Sequence, residues 1–431
     1  MPENLAIGLM IARQREKCSS IGCDFDYYGF AFGQSPFHVL PLLSGALKEA
    51  AENSGYADAE GIFELRQAAA GFNARYFGLP DEPDRIVIGP GTKGLFFLLL
   101  SIISGDLIIP APAWIGYSPQ ARFLGKRYHP LKTSWNNQLK VTADELEKLQ
   151  QKIGGGQHIL VLNSPNNPTG QVYSRDELKA IARVCRKYGI IVLADEIYAL
   201  TTFKFSTFTS MGTVYPEGTF VLNGLSKDRS AGGYRLGVCQ LPEADQRKTR
   251  DGLQKLAATV YTNITTPVQQ AAVAAYSENE SIDKYFSITR IIHEMMGLYI
   301  SDLVASIKGL RVTKPAGGFY FYVDFNDIRD ILIERGVTES NSLSEALLSH
   351  PHHIATVTGD ALELSPNDFG ARIAYVDYDG HRVYDSFLDQ TPETKAEKDA
   401  FVEQHAQRMI QGAGALEKFI HLLEKGVLSF R

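Results

Sequence analysis

The chain has 431 residues, of which 44% are hydrophobic and 21% charged, and this ordinary globular composition excludes a disordered or fibrous protein. The formal net charge is −6 and no block of like charges is present. The sequence therefore shows no basic surface for nucleic acid or anionic lipid and favours a small-molecule substrate. Its length predicts a large domain together with a smaller one.

The expected compartment is the cytoplasm. The N-terminal residues lack the basic leader, long apolar core and cleavage pattern of a secretory signal. The most apolar run, 94–103, is about half the roughly 20 residues that a membrane helix needs. Sparse cysteines without metal-ligand spacing predict free thiols and no metal site, although the first two could pair. They are Cys18, Cys23, Cys185 and Cys239.

Short apolar runs alternate with helical patterns between about residues 85 and 240, which predicts βαβ units in a parallel sheet. The runs are apolar throughout, so helices should cover both faces of this sheet. Two helix starts carry a capping box, one beginning at Thr142 and one at Ser174. The predicted strands are 85–88, 107–109, 159–162, 190–194 and 220–222.

The pattern becomes helical from about residue 250, for example at 269–276, and a long helix should lead out of the large domain. A strand at 318–324 then opens a second α/β region that extends to an amphipathic stretch at 413–425. The acidic, proline-containing segment 379–398 predicts an exposed insertion with little packing. The expected organisation is an N-terminal segment (1–50) that joins part of the small domain, a large domain (51–295) and a small domain (296–431).

Polar residues just after the apolar runs are the candidates for a site, because ligands bind at the carboxyl ends of parallel strands. The first candidate is the turn Gly91-Thr92-Lys93 before a helical run. Its backbone N–H groups suit a phosphate, although so short a pattern more often marks an ordinary turn. The second is the segment SPNNPTG, in which Asn167 offers an amide, although its residues are also typical of a plain loop.

Two further candidates follow later strands. Asp195 ends a buried strand. A carboxylate there requires a cation, such as a protonated ring nitrogen. A helix cap or a structural ion pair explains an aspartate at this position equally well. Lys227 follows the next strand, and Arg235 lies eight residues further on among glycines. Alone, Lys227 is typical of a solvated surface charge.

The order and spacing of these segments resemble the class I/II aminotransferases, the aspartate aminotransferase-like enzymes of fold type I that use pyridoxal 5'-phosphate (PLP). The resemblance runs from about Tyr56 to Arg372 and rests on the joint pattern SPNNPTG, DEIY, and SK with GYRLG. It implies a large domain with a mostly parallel sheet between helices, plus a smaller α/β domain.

Residue by residue, the resemblance implies that Lys227 forms the covalent imine with PLP and carries the proton at the substrate α-carbon. Asp195 would pair with the ring nitrogen, and Tyr198 and Asn167 would hydrogen-bond the ring oxygen. Arg235 would hold the phosphate, together with the turn formed by Gly91, Thr92 and Lys93.

Two further residues match the family pattern, and one departs from it. Trp114 matches the aromatic residue that stacks on the ring, although a half-buried core tryptophan is an alternative. Tyr56 matches a tyrosine that reaches the phosphate across a subunit interface, which implies a homodimer with shared sites. Gly224 stands where many relatives carry a serine, so one phosphate contact is expected to be missing or replaced.

The substrate is expected to contact Trp114 and Asn167, with Arg372 clamping its α-carboxylate and Gly33 closing over that group. The implied reaction passes an amino group from an L-amino acid to PLP and on to a 2-oxo acid, with ping-pong kinetics. Lys93 matches a lysine that contacts a distal carboxylate, which favours aspartate or glutamate with 2-oxoglutarate. It could equally cap the turn or face solvent, which leaves aromatic and aliphatic donors open.

Two other classes of protein compete with this interpretation. A PLP-dependent lyase or decarboxylase of the same fold would keep Lys227, Asp195 and Arg372, so these residues do not exclude it. A non-catalytic effector-binding module is disfavoured, because no basic DNA-binding domain precedes Tyr56.

Overall fold

The computed structural model describes residues 3–20, 22, 25–244 and 246–430. The helices, in chain order, are α1 (Glu3–Ser20), α2 (Pro41–Ala50), α3 (Phe63–Phe77), α4 (Gly91–Ile102), α5 (Tyr117–Phe123), α6 (Ala143–Ile153), α7 (Arg175–Tyr188), α8 (Gln246–Val260), α9 (Thr266–Tyr276), α10 (Glu280–Ala305), α11 (Arg329–Glu334), α12 (Ser342–Leu348), α13 (Gly380–Asp389), α14 (Lys395–His405) and α15 (Gln407–Glu424). The strands are β1 (Tyr28–Gly29), β2 (Ile86–Gly89), β3 (Asp106–Ala111), β4 (Tyr128–Lys132), β5 (His158–Asn163), β6 (Ile191–Asp195), β7 (Thr219–Gly224), β8 (Gly237–Gln240), β9 (Arg311–Val312), β10 (Tyr320–Asp324), β11 (Ile354–Ala355), β12 (Val357–Thr358) and β13 (Gly370–Ala374).

Seven strands of the described chain form the larger sheet, in the order β2-β8-β7-β6-β5-β3-β4. The strands from β7 to β4 in this order are parallel to their neighbours, whereas β8 is antiparallel to both β7 and β2. The predicted fold class, an α/β protein with a mostly parallel sheet between helices, is therefore confirmed.

Helices cover both faces of this sheet because its strands are apolar at successive positions. Along β5, Ile159 and Val161 pack into one core cluster with residues of α4. Leu160 and Leu162 pack into another cluster with residues of α6 and α7. Successive side chains of a strand point to opposite faces, so a continuous apolar run needs a cover on each side.

The five predicted strands correspond to β2, β3, β5, β6 and β7, with ends shifted by one or two residues. Both predicted capping boxes are present, at Thr142 before α6 and at Ser174 before α7. The sequence does not predict β4 or β8. β4 is partly exposed and contains a proline, and β8 is a four-residue strand that begins with glycine.

A second, four-stranded sheet has the order β12-β13-β10-β9, and its β10 confirms the strand predicted at 318–324. The long helix α10 precedes this sheet, as expected. β1 pairs in parallel with β11, with Tyr28 opposite Ile354, so the segment near the N-terminus lies against the C-terminal part of the chain. The domain boundaries 1–50, 51–295 and 296–431 stay a prediction.

The segment 379–398 is not the exposed insertion that the sequence suggests, and this prediction is wrong. Asp379 caps α13, and Thr394 opens α14 with a capping box. Val383 and Phe387, four residues apart on α13, are buried in the main core cluster. Composition alone does not predict this helix. An amphipathic helix needs only one apolar stripe to pack, so its other positions can be acidic.

The cysteines agree only in part with the prediction of free thiols. Cys185 and Cys239 are free and buried. Cys18 is disulfide-bonded, so the prediction is wrong at that position, and Cys23 lies outside the described residues. Among the described helices, none is both long enough and apolar enough to cross a membrane.

Candidate active site

Neighbouring parallel strands end at one edge of the larger sheet, and several predicted site residues lie there. Asn163 and Asp195 are register partners at the ends of β5 and β6, and Lys227 follows the end of β7. Asn163 fixes the next loop to this edge, because its Nδ2 donates to the Asp195 carbonyl at 2.8 Å and its Oδ1 accepts from the Asn167 N–H at 2.6 Å. The strand order thus gathers residues that are far apart in the sequence.

Asp195 is buried, and its carboxylate accepts hydrogen bonds from the Tyr117 hydroxyl at 2.6 Å and from the Ile197 N–H at 3.4 Å. Burial raises the pKa of Asp195, outweighing both hydrogen bonds and the charge of Lys227, each of which lowers it. Burial also raises the pKa of Tyr117, so this phenol stays protonated and donates. Tyr117 is not among the predicted residues, and its only signal is its place three residues after Trp114.

Lys227 is partly buried on the loop after β7, between two aromatic rings. Its Nζ lies 5.3 Å from the ring centre of Tyr198 and 5.5 Å from that of Phe319. The same nitrogen donates a hydrogen bond to the Gly33 carbonyl at 2.6 Å. Two predicted residues, Lys227 and Gly33, are therefore in direct contact.

Arg235 lies against the Gly91 turn, as predicted for a phosphate site. Its backbone is left-handed (φ 53°), and its Nη2 lies 3.5 Å from the Pro90 carbonyl. A Cβ atom at position 91 would lie 2.6 Å from this Nη2, so glycine leaves space for the guanidinium. α4 begins at Gly91 and contributes free backbone N–H groups at its start. A guanidinium beside a helix N-terminus has the charge and the donors that a phosphate requires.

Gly224, at the end of β7, lies where β7 and β8 approach each other closely. A Cβ at position 224 would lie 2.7 Å from the Leu236 carbonyl oxygen and 3.0 Å from the Gly237 Cα. Gly237 in turn packs against the phosphate turn, where a Cβ would lie 2.6 Å from the Thr92 nitrogen. The backbones of β7, β8 and the turn are thus stacked without side chains, and this packing excludes a serine at 224.

Arg372, on β13, is buried and contacts Asn167 from the loop after β5. Its Nη1 donates to Asn167 Oδ1 at 3.2 Å, and its Nη2 donates to the Ala31 carbonyl at 2.6 Å. The guanidinium also stacks on Tyr320, with Cζ 4.6 Å from the ring centre. The structure therefore joins the predicted substrate residues Arg372 and Asn167 in one buried group.

Tyr320, on β10, is not among the predicted residues, yet it contacts three of them. The Tyr320 ring lies against the Arg372 guanidinium. Its hydroxyl donates to the Gly33 carbonyl at 3.2 Å and lies 3.1 Å from the Tyr198 hydroxyl. The pKa of Tyr198 lies well above its ordinary value, because burial raises it most and the nearby Tyr320 raises it further. Tyr198 therefore stays protonated. The strand pattern predicts β10, but it does not say which of its faces meets the site.

Trp114 and Lys93 lie side by side next to this group. Lys93 is exposed, and its Nζ is 5.0 Å from the centre of the Trp114 ring. Trp114 also packs edge-on against Tyr117, with ring centres 5.0 Å apart. Because Tyr117 binds Asp195, this contact connects the predicted stacking residue to the predicted partner of the ring nitrogen.

Tyr56 does not join the buried group of its own chain, since it is 90% exposed. The neighbouring Gly55 carbonyl accepts a hydrogen bond from the Thr266 hydroxyl at the start of α9. Val260, at the end of α8, is 63% exposed. Both side chains are thus largely open to solvent in the single chain.

A chain of hydroxyl groups ties the N-terminal segment to the loop after Lys227. The Tyr285 hydroxyl donates to the His38 carbonyl at 2.6 Å and lies 2.7 Å from Ser230 Oγ, which lies 2.6 Å from Ser35 Oγ. Because each hydroxyl has one proton, Ser230 donates to Tyr285 and Ser35 donates to Ser230. The loop and the segment are therefore also held together a few residues beyond the contact between Lys227 and Gly33.

Comparison with known proteins agrees with the geometry. The model of the family "Aminotransferase class I and II" matches residues 26–377. An asparagine–oxo-acid transaminase of Streptococcus mutans is 30% identical over 78% of this chain and 84% of its own length. An aspartate aminotransferase of Geobacillus stearothermophilus is 29% identical, with shares of 81% and 87%. The solved aspartate aminotransferase of Thermus thermophilus with maleate has the same fold, with a TM-score of 0.78, 21% identity and 97% of each chain covered.

The packing at Gly224 predicts that a serine at this position is harmful. Gly224→Ser should lower the free energy of unfolding by about 1–3 kcal/mol, because the new side chain meets the backbone of β8. Thermal unfolding of the variant measures this loss. Gly233→Ser is the matched control, because position 233 is exposed and a Cβ there has no atom within 4 Å. A Gly224→Ser protein as stable as the control, with tighter PLP binding, would contradict this account of the position.

Proposed function

The chain belongs to the class I and II aminotransferases, and from this membership we propose that it exchanges amino groups between aspartate or glutamate and 2-oxoglutarate, with PLP as its cofactor. The observation that carries the proposal is the grouping of Lys227, Asp195 and Arg372 around the edge of the larger sheet. The shared contacts of Lys227 and Tyr320 with the Gly33 carbonyl link the two ends of this group.

The residues at this edge fit PLP in charge and in donor type. Asp195 is a buried carboxylate that a ring cation would stabilise, and Lys227 provides a primary amine. Arg235 and the start of α4 provide the cation and the N–H donors for a phosphate. When bound, PLP supplies an electron-withdrawing ring that stabilises negative charge at the substrate α-carbon.

Asp195 and Tyr117 act at the ring-nitrogen end of the site. An ionised Asp195 holds a proton on the ring nitrogen by charge pairing, because separating the two charges in a buried site is costly. The Tyr117 hydroxyl donates to Oδ2 and so orients the carboxylate. This hydrogen bond also favours the ionised form of Asp195, which the pairing requires.

Lys227 Nζ is the group that would hold the cofactor and would move the proton on and off the substrate α-carbon. In the structure this nitrogen donates to the Gly33 carbonyl, and two aromatic rings border it. These contacts restrict the amine to a small region between the sheet edge and the N-terminal segment. Restricting the position of a base lowers the entropy cost of proton transfer.

Arg372 binds and orients the substrate through its α-carboxylate. A guanidinium offers two parallel N–H donors, which match the two oxygens of a carboxylate. Tyr320 supports the face of the guanidinium, and Asn167 accepts from Nη1, so the side chain is already positioned. The Gly33 carbonyl lies near this group and closes the site from the N-terminal side, which helps to exclude water.

Lys93 supports a preference for dicarboxylic substrates. It places an exposed ammonium over Trp114, the residue proposed to stack on the ring, so a distal carboxylate of a bound substrate could pair with it. The relatives from Streptococcus mutans and Geobacillus stearothermophilus are named for asparagine and aspartate. Of the two names, aspartate supports a dicarboxylic substrate, whereas asparagine has a neutral amide in place of the distal carboxylate.

A homodimer with shared active sites is part of the proposal. Tyr56 is almost fully exposed, and Val260 is a second largely exposed apolar side chain. When a second copy of the chain covers the surface around Tyr56, the hydroxyl of this residue can reach a phosphate bound in the site of that second copy. Burying such apolar groups is the usual source of stability in a symmetric dimer.

Spectroscopy of the half-reaction tests the proposed activity. We expect aspartate and glutamate to abolish the visible absorbance of the PLP-loaded protein, and 2-oxoglutarate to restore it, because each half-reaction changes the conjugation of the cofactor. Lys227→Ala is the control and should show no such change. If no amino donor changes the spectrum, transamination is contradicted. Release of ammonia or carbon dioxide without transfer to an acceptor would favour a lyase or decarboxylase.

The role of Lys93 is tested by comparing substrates in Lys93→Ala. The efficiency kcat/KM for aspartate should fall roughly tenfold or more, because one charge pair with the substrate is lost, while an aromatic donor should be little affected. Lys152→Ala, at an exposed position near the end of α6, is the matched control. Equal losses for aspartate and for the aromatic donor would show that Lys93 does not read the distal carboxylate.

A further inference from the structure

Three side chains that can bind a metal ion lie together at the other end of the larger sheet. Asp106 and His158 are the first residues of β3 and β5, whereas Asp195 is the last residue of β6. His129 is the second residue of β4. One potential ligand atom from each of Asp106, His129 and His158 lies within 4.8 Å of the other two. This cluster is therefore separate from the candidate active site and plays no part in the proposed reaction.

Strand register explains why the three side chains share one face. Asp106 is paired with His158, and His129 is paired with Ile108, two residues after Asp106. Register partners in a parallel pair lie on the same face of the sheet, and so do residues two apart in one strand. The cluster is therefore built into the pairing of β5, β3 and β4 and does not depend on a flexible loop.

The distances and the types of ligand suit a transition-metal ion. Two imidazoles and one carboxylate form a typical set of ligands for Zn²⁺ and its neighbours, in sites that leave at least one position open. His129 Nε2 and Asp106 Oδ2 are 3.3 Å apart. With metal-to-ligand bonds of about 2.1 Å, a tetrahedral site requires ligand atoms about 3.4 Å apart. This pair already has that spacing.

His158 provides an independent observation. The residue is 4% exposed, and its Nδ1 has no hydrogen-bond partner in the described part of the chain. Buried ring nitrogens are almost always satisfied by a hydrogen bond or by a metal ion. His158 therefore brings to the cluster a buried imidazole whose hydrogen-bonding capacity is not fully used by the described residues.

We propose that Asp106, His129 and His158 bind one transition-metal ion of the Zn²⁺ type, which links β5, β3 and β4 at the amino-terminal edge of the sheet. β4 is the outermost strand on that side, and its burial is incomplete. A metal ion bound across three strands favours the folded chain, because the ligands are not assembled when the chain is unfolded.

Two cations lie near the cluster and compete with a metal. Arg127 Nε is 3.2 Å from Asp106 Oδ2, but its side chain is 83% exposed. An exposed ion pair contributes little to stability, so Arg127 can turn into solvent when a metal binds. The Lys126 ammonium donates to the Ile103 and Gly105 carbonyls and thus has other partners.

A second group, Cys18, His350 and His353, also has ligand atoms within 4.8 Å of one another. Cys18 is disulfide-bonded and therefore offers no thiolate, which is the form of cysteine that binds metals. This difference favours the cluster at Asp106.

Calorimetric titration of the chelator-treated, PLP-loaded protein with zinc chloride tests the proposal, in a buffer free of phosphate, thiols and amino acids. We expect a saturable site, with binding weakened at least roughly tenfold in His129→Ala. Arg127→Gln should bind the metal at least as tightly as the wild type, because it removes only an exposed competing cation. His421→Ala, which alters an exposed histidine on α15, should bind like the wild type. Zinc should also raise Tm in the wild type by more than in His129→Ala.

Two results would overturn the proposal. One is the lack of saturable binding by the wild type at zinc concentrations up to about 1 mM. The other is equal affinity in the wild type and His129→Ala, which would place any bound zinc elsewhere. The absorbance of the bound cofactor checks that each variant is folded, so a loss of binding is not mistaken for unfolding.

Discussion

The carboxylate of Asp195 is buried at the end of β6, and the rest of the site is arranged around this group. An ionised carboxylate at that depth is costly unless donors and a cation stabilise it. Tyr117 and the Ile197 N–H supply two hydrogen bonds, yet burial is the largest influence and raises the pKa of Asp195. A ring cation against Asp195 would lower this pKa again. In the proposed function, the same residue would contribute to holding the cofactor and to keeping its ring protonated.

The opposite end of the site depends on contacts between distant parts of the chain. The Gly33 carbonyl accepts hydrogen bonds from Lys227 and from Tyr320, and Tyr320 stacks on Arg372. The N-terminal segment, the lysine loop and the second sheet thus meet at one carbonyl. A shift of the N-terminal segment would change the position of the amine and the surroundings of Arg372 together. The proposed binding of a substrate carboxylate at Arg372 and the proposed proton transfer by Lys227 would therefore be coupled.

The sequence predicts the larger sheet and much of the site, because buried parallel strands are apolar throughout and polar residues follow their carboxyl ends. It does not predict Tyr117 or Tyr320, since a tyrosine on a helix or strand carries no local sign of the partner that it meets in space. The sequence also does not explain the glycine at position 224, because the atoms that leave no space for a side chain there belong to residues 236 and 237. The prediction for segment 379–398 is wrong because its acidic composition gives no sign of the short apolar stripe by which α13 packs. Asp106, His129 and His158 come from three strands, so no local spacing marks them as a group.

The dependence of cofactor binding on Asp195 is measured most directly by thermal unfolding of the wild type and of Asp195→Asn, each without PLP and with saturating PLP. Asparagine keeps the shape of the side chain and removes its charge. We expect the cofactor-free variant to be at least as stable as the wild type, because it no longer buries a carboxylate. PLP should raise Tm much less in the variant, since a lost buried ion pair of about 3 kcal/mol weakens binding roughly 100-fold. An equal rise of Tm in both proteins, with a less stable cofactor-free variant, would contradict this role of Asp195.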